Sequence, residues 1–160
     1  KKQKINQMSI RLQLEDGKIV EISPEATSLM TNVKNPTDPY KIGKVQEKIV
    51  NIVLEFSDEY SRMNEKDQKM YISPNEWKPD SFEYKWYRKT FSELNMSDVL
   101  DLSGLACNLG FKALLEVCCF HIAGSITGKS SEEMRKMLGM EDDFSTEEIQ
   151  KIVGENSWHL

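Results

Sequence analysis

The stretch from Gly110 to Leu160 constrains the fold more than any other part of the chain. It opens with Phe111 to Ile126, where Leu114, Leu115, Val117, Cys118, Phe120 and Ile122 leave an apolar residue on nearly every side. A helix apolar all round is a buried one, so this segment predicts a central helix. Two short helices follow, each announced by its own start signal. Ser130 is followed three residues later by Glu133, and Ser145 three residues later by Glu148. Both pairs are capping boxes: the serine oxygen accepts from an orphan N–H near the helix start, and the glutamate reaches back to the cap's own N–H. Phe144 and Ile149 occupy the two positions of a hydrophobic staple around the second box. Glu132 and Glu133 lead the first helix while Arg135 and Lys136 follow, the order that suits the macrodipole. Gly139 and Gly154 predict the two stops.

Helices of two or three turns are marginal alone, so their apolar faces need something to cover. Those faces are Met134, Met137 and Leu138 on the first, and Ile149, Ile152 and Val153 on the second. One reading packs both helices on the protein's own core. The other makes them, with Trp158, a groove for a partner, since methionine adapts to irregular surfaces and tryptophan is enriched at binding hot spots.

Three blocks in this stretch carry a resemblance. They are Gly128-Lys129-Ser130-x-Glu132-Glu133-Met134-Arg135-Lys136, Asp143-Phe144-Ser145-x-Glu147-Glu148, and Glu155-Asn156-x-Trp158. In this order and spacing they resemble the C-terminal signature of the S-phase kinase-associated protein (Skp) family, adaptors of cullin-based ubiquitin ligases. A weaker likeness to that family's opening hairpin covers Ser9 to Ile22, whereas roughly Ser23 to Asn95 is poorly matched. The resemblance implies an α+β BTB/POZ-like domain over 8–128 and a C-terminal F-box-binding extension over 129–160. It implies F-box proteins as partners, held by Met134, Met137, Leu138, Phe144, Ile149, Ile152, Val153 and Trp158, and leaves a cullin and a second copy of the chain open as further ones. Members of the family carry an Asn-Tyr-Leu-Asp run ahead of the central helix, with the Asn-Tyr pair facing the cullin. Ungapped alignment from Leu114-Leu115 puts Cys107-Asn108-Leu109-Gly110 there. Cys107 and Asn108 thus depart from the pattern, which implies a weaker cullin side or a self-associating protein that acts without one.

The chain's 160 residues suit one domain or one with a small appendage. With 39% apolar and 29% charged residues it can build a core. A net charge of −5 argues against nucleic acid, and Lys1, Lys2 and Lys4 are too few to reverse that. Cys107, Cys118 and Cys119 lack CxxC spacing and read as reduced core cysteines of a cytosolic or nuclear protein. The uncharged run near Val117 to Gly128 is too short to span a bilayer, and no signal-peptide pattern is legible.

Ile10, Leu12 and Leu14 alternate with polar residues, Glu15-Asp16-Gly17-Lys18 predicts a turn, and Ile19 to Ile22 predicts the returning strand. Ser23-Pro24-Glu25 predicts a helix start, with Ala26, Leu29, Met30 and Val33 inward and Asn35-Pro36-Thr37-Asp38-Pro39 as its stop. Tyr40 to Ile42 suits a third short strand. From Gly43, the apolar residues Val45, Ile49, Ile52, Val53, Phe56 and Tyr60 recur at helical spacing. The charged stretch 61–80 reads as a polar surface loop in which Tyr71 and Trp77 are either tethers or exposed. Ser81 to Leu94 reads as a helix with Phe82, Trp86 and either Phe91 or Tyr87 inward, and Ser97 as the cap of another through Leu109. A few strands beside many helices give the α+β class.

No catalytic constellation emerges, and no cofactor is implied. Ala123 to Ser130 ends like a phosphate-binding loop, but a helix rather than a strand precedes it and Ala123 replaces the first glycine. Nucleotide binding is therefore the weakest of three readings, behind an adaptor and a self-associating structural protein. His121 lies in the apolar helix, where a hydrogen-bonded core histidine is expected. Adjacent Cys118 and Cys119 diverge by about 100° on a helix and cannot share a metal.

Overall fold

The computed structural model describes residues 9–33, 39–71, 74–141 and 144–155. The fold is α+β, with a three-stranded mixed sheet and eight α-helices among the described residues. The chain divides into two compact units, Lys1–Thr127 and Gly128–Leu160.

The first unit opens with the expected hairpin. Strands β1 (Ile10–Gln13) and β2 (Ile19–Ile22) pair antiparallel, with Ile10 opposite Ile22 and Leu12 opposite Val20. The turn is closed by the Lys18 amide donating to Asp16 Oδ1 at 2.9 Å. Strand β3 (Tyr40–Lys41) lies parallel to β1, giving the order β2-β1-β3. Ile10, Leu12 and Ile22 are buried on one face of this sheet. Helix α1 (Pro24–Thr27), capped by Ser23, is a single turn, shorter than the inward positions Leu29 to Val33 suggested. The Thr31 and Asn32 amides instead donate to Gly110 O and Leu109 O, each at 3.3 Å. Met30 and Val33 are nonetheless buried. Of the predicted stop, 35–38 lie outside the described residues.

Helix α2 (Glu47–Arg62) begins four residues later than expected, because Gly43 adopts φ 72° and turns the chain first. Ile49, Val50, Val53, Phe56 and Tyr60 are its buried face. The Phe56 ring meets those of Tyr60, Tyr71, Trp86 and Phe111 at centroid distances of 5.5, 5.2, 4.8 and 5.3 Å. These aromatic contacts form the centre of the core.

The expectation of a polar loop over 61–80 is corrected. Helix α3 (Glu65–Tyr71) and a 3₁₀ turn (Pro74–Glu76) occupy that stretch. Asn64 starts α3, its Oδ1 accepting from the Lys66 and Asp67 amides at 3.0 and 3.1 Å. Tyr60 Oη donates to Gln68 O while Gln68 Nε2 donates to Tyr60 O, so α3 is fastened to α2 twice. Tyr71 is 1% exposed, and the Trp77 indole N–H donates to Met70 O at 2.7 Å; both are tethers.

Helix α4 (Phe82–Phe91), capped by Ser81, buries both Trp86 and Phe91 and leaves Tyr87 half-buried; the Phe82 side chain lies outside the described residues. Helix α5 (Met96–Leu109) is capped by Asn95, not Ser97. Asn95 and Asp98 form a reciprocal capping box at 2.9 and 3.2 Å, and that spacing outcompetes a lone serine. Asp98 is 2% exposed and also pairs with Lys48 Nζ at 2.7 Å, which ties α5 to α2. The Lys48 hydrogen bond, helped by the Asn95 amide, holds its carboxyl below the usual range.

Helix α6 (Lys112–Ile126) corrects the reading of a helix buried on all sides. Ala113, Leu114, Val117 and Cys118 are buried, but from Cys119 onward its residues are half-buried or exposed. The first half packs on α5, while the second is covered only partly by aromatic rings from Trp77, Tyr87 and Phe91. The core reading of the cysteines is corrected in the same way: Cys118 is buried, whereas Cys107 and Cys119 are exposed. No helix among the described residues is long and apolar enough to cross a membrane.

In the second unit, α7 (Ser131–Leu138) ends at Gly139 with φ 67°, as its glycine predicts. Helix α8 (Thr146–Glu155) runs through Gly154, which does not stop it. Neither helix contains a buried residue.

Candidate protein-binding groove

Both short helices start as their capping boxes require. Ser130 Oγ accepts from the Glu133 amide at 3.3 Å and Glu133 Oε2 accepts from the Ser130 amide at 2.8 Å. Ser145 and Glu148 repeat the arrangement at 3.3 and 2.9 Å, and the Ser145 hydroxyl also donates to Glu148. The serine amides, followed by the hydroxyl bonds, hold both glutamate carboxyls below their ordinary range.

Within this unit a groove of about 840 Å³ opens between α7 and the segment from Met140 through α8. Its two walls differ in chemistry. Met140, Phe144, Ile149, Ile152 and Val153 make an apolar wall, and all five are exposed, Val153 by 52%. Ser131, Glu132, Arg135 and Lys136 make a polar wall along α7. The Arg135 guanidinium sits 5.7 Å from the centroid of the Phe144 ring, a cation–π contact that links the walls.

The sequence-predicted residues therefore separate. Phe144, Ile149, Ile152 and Val153 come together in the groove. Met134, Met137 and Leu138 do not line it; they are half-buried on the other side of α7. Trp158 lies outside the described residues, as do Asp142 and Asp143. Sequence reasoning missed Met140 and the α7 polar stripe. The stripe's spacing of i, i+1, i+4 and i+5 was the available signal, because such residues share a helix face.

Cys107 and Asn108 lie at the exposed C-terminal end of α5. Their carbonyls accept from Asn32 Nδ2 at 3.1 and 3.4 Å. Gly110 follows in the left-handed conformation, φ 70°, and a Cβ there would stand 2.3 Å from Thr31 Oγ1. Leu109 between them is buried. The side chains of Cys107 and Asn108 are thus offered to solvent at this corner, beside exposed Thr31 and Asn32.

The remaining polar motifs are occupied by structure. Gly124 to Ile126 form the last turn of α6, and Ser130 serves as a cap, so the resemblance to a phosphate-binding loop has no strand-to-helix turn behind it. His121 Nδ1 is 2.9 Å from Tyr87 Oη and its ring packs 4.9 Å from Phe91; partial burial lowers its pKa. Burial pushes the Cys118 thiol up to about 12, which makes it a poor nucleophile. Among the described residues no group of three or more His, Cys, Asp or Glu could hold a metal.

Among the described residues, five of the six exposed large apolar side chains line this groove between two capped helices. The stretch that carries it also resembles known proteins. The Skp1 family, dimerisation domain, matches residues 112–159. The SCF ubiquitin ligase complex protein SKP1a of Dictyostelium discoideum is 27% identical over 93% of this chain and 94% of its own length. The E3 ubiquitin ligase complex SCF subunit sconC of Emericella nidulans is 29% identical over 89% of this chain and 91% of its own. SKP1-like protein 13 of Arabidopsis thaliana is 40% identical over 54% of this chain and 56% of its own. Residues 112–159 thus match the Skp1 family, and relatives that carry SKP1 and SCF-subunit names align with most of the chain.

Proposed function

We propose that this chain is a non-catalytic adaptor that binds F-box proteins and links them to a cullin in a ubiquitin ligase. The observation that carries this reading is the groove. Five large apolar side chains stand exposed on one wall, inside the region that the family match covers. Relatives that carry the names of SCF ligase subunits align over nearly the whole chain, which supports the same reading. In this account the unit Lys1–Thr127 is the BTB/POZ-like part and Gly128–Leu160 the F-box-binding extension. Phe144, Ile149, Ile152 and Val153 contact the F-box directly; Met134, Met137 and Leu138 support the wall from behind; Trp158 completes the set. Such a protein works in the cytoplasm or nucleus, and ubiquitin transfer is done by other subunits.

Sedimentation of the purified chain with an F-box segment tests the proposal. A monomer that becomes a heterodimer is the expected result. Trp158→Ala is expected to weaken that complex by about 2 kcal/mol, as hot-spot tryptophans do. A chain that stays unbound at saturating F-box segment would refute the adaptor.

The cullin side is the weaker one in this proposal. Cys107 and Asn108 stand where the family's Asn-Tyr pair would face a cullin, and a cysteine and an amide offer less contact area than a tyrosine. Titration against a purified cullin N-terminal domain should show weaker binding than the double change Cys107→Asn, Asn108→Tyr. Equal affinities would mean that neighbouring residues carry the contact.

A second reading has support from the same surface. The matched family domain is described as a dimerisation domain, and an exposed apolar wall suits a second copy of the chain. A concentration-dependent dimer that the F-box segment fails to dissolve would favour it.

A further inference from the structure

The reading of the groove as a partner site leaves the partner's chemistry to be found, and the inequality of its two walls points to it. The α8 wall offers only apolar side chains. The α7 wall offers Glu132 against two cations, Arg135 and Lys136, on a chain whose net charge is −5. Arg135 is already engaged over the Phe144 ring. Lys136 is exposed and makes no ion pair among the described residues. It also stands in the last turn of α7, where a cation is favoured by the helix dipole.

A wholly apolar occupant would cover this polar wall without satisfying it, which costs free energy for every group desolvated. An occupant with bases along its edge would meet like charge from Lys136 and Arg135. A segment with an apolar stripe and a carboxylate beside it satisfies both walls at once. We infer that the groove selects an amphipathic helical segment bearing a carboxylate next to its apolar stripe, and that Lys136 is the residue that reads this carboxylate. The inference rests on the adaptor reading of the groove and adds a specificity determinant to it. Arg135 has a different part: it holds the Phe144 ring and leaves the partner's acid to Lys136.

The test uses the full chain and two synthetic helical peptides with the same leucine stripe, one flanked by glutamate and one by lysine. Affinities are read by fluorescence anisotropy for the parent, Lys136→Gln and Lys136→Glu, at low and high salt. Because Lys136 is exposed, the variants fold, and circular dichroism checks this. The parent is expected to prefer the glutamate peptide about tenfold, since a rim attraction becomes a repulsion in the other. Lys136→Gln should shrink the preference, Lys136→Glu should reverse it, and salt should weaken it in the parent. If the parent binds both peptides equally, or Lys136→Glu keeps the parent's preference, Lys136 is not the reader and the apolar groove alone survives. If neither peptide binds saturably, the groove does not take an amphipathic helix of this kind and the inference falls, while the adaptor reading is still decided by the F-box segment.

Discussion

In the unit Lys1–Thr127, the apolar face of α2 is buried, and Phe56 is enclosed by four aromatic rings. In the unit Gly128–Leu160, the apolar face of α8 shows the same helical spacing, yet Ile149, Ile152 and Val153 stand in solvent. Periodicity announces a face that will be covered; it does not say by what. The difference lies in what each unit can gather. Around α2 the chain assembles α1, α3, α4, α5 and the Phe111 ring ahead of α6. In the C-terminal unit α7 and α8 together have no buried residue. Burying an aliphatic side chain is worth roughly 1.5–3 kcal/mol, so three left exposed leave free energy to be gained by whatever covers them.

The largest expected effect separates the two faces directly. Phe56→Ala should cost about 3–5 kcal/mol in denaturant unfolding, as large-to-small changes in cores do. Val153→Ala should stay within about 0.5 kcal/mol, as surface changes do, while weakening the F-box complex. A Val153→Ala cost near that of Phe56→Ala would place α8 in a core and break the comparison.

Next comes the corner where α5 ends. Gly110→Asp, the residue of the family pattern, must adopt φ 70° and push Thr31 and Asn32 aside. A left-handed non-glycine residue costs about 1–3 kcal/mol before any collision is counted. A destabilisation of about 3 kcal/mol is expected by thermal or chemical unfolding. A neutral change would mean that the loop at Asn32 is not packed against α5.

A smaller effect distinguishes the two candidate caps of α5. Asn95→Ala should cost about 1 kcal/mol, and Ser97→Ala almost nothing, in paired denaturation curves. Serine as the costly position would restore the sequence-based assignment.

The smallest is a pH effect confined to the C-terminal unit. Glu133 and Glu148 have folded pKa values below their ordinary ones because the Ser130 and Ser145 amides bond the ionised forms. Their contribution is therefore fully present above the unfolded value, about 4.3, and is lost as pH falls through the depressed folded values. Amide NMR signals of α7 and α8 should fray with acidification below about pH 4.3. Glu133→Gln with Glu148→Gln should remove that dependence.

Much of the molecule was legible in its residues for local reasons. Alternation at Ile10, Leu12 and Leu14, the Asp16-Gly17 turn and the two serine–glutamate boxes each act within a few positions, so sequence shows them. What stayed hidden depends on distant partners. The stretch 61–80 looked like a polar loop because only Tyr71 and Trp77 reveal that α3 is docked, and their partners Phe56 and Met70 O are supplied by the fold. Helix α6 looked buried throughout because apolarity cannot tell a core from a surface sheathed partly in rings. In the groove, α8's face was readable. That α7 turns Arg135 and Lys136 inward, rather than Met134 and Met137, required knowing how α7 faces Met140 and α8.

The central claim is that the C-terminal unit holds apolar surface for an F-box partner, and hydrogen exchange resolved along the chain tests it most directly. A partner at a hundredfold excess over its dissociation constant stabilises what it covers by about 2.7 kcal/mol. Amides of α7 and α8 should then exchange about a hundredfold more slowly with an F-box segment present, while those of α2 and α5 keep their rates. Unchanged exchange across α7 and α8 at saturating F-box segment would contradict the account.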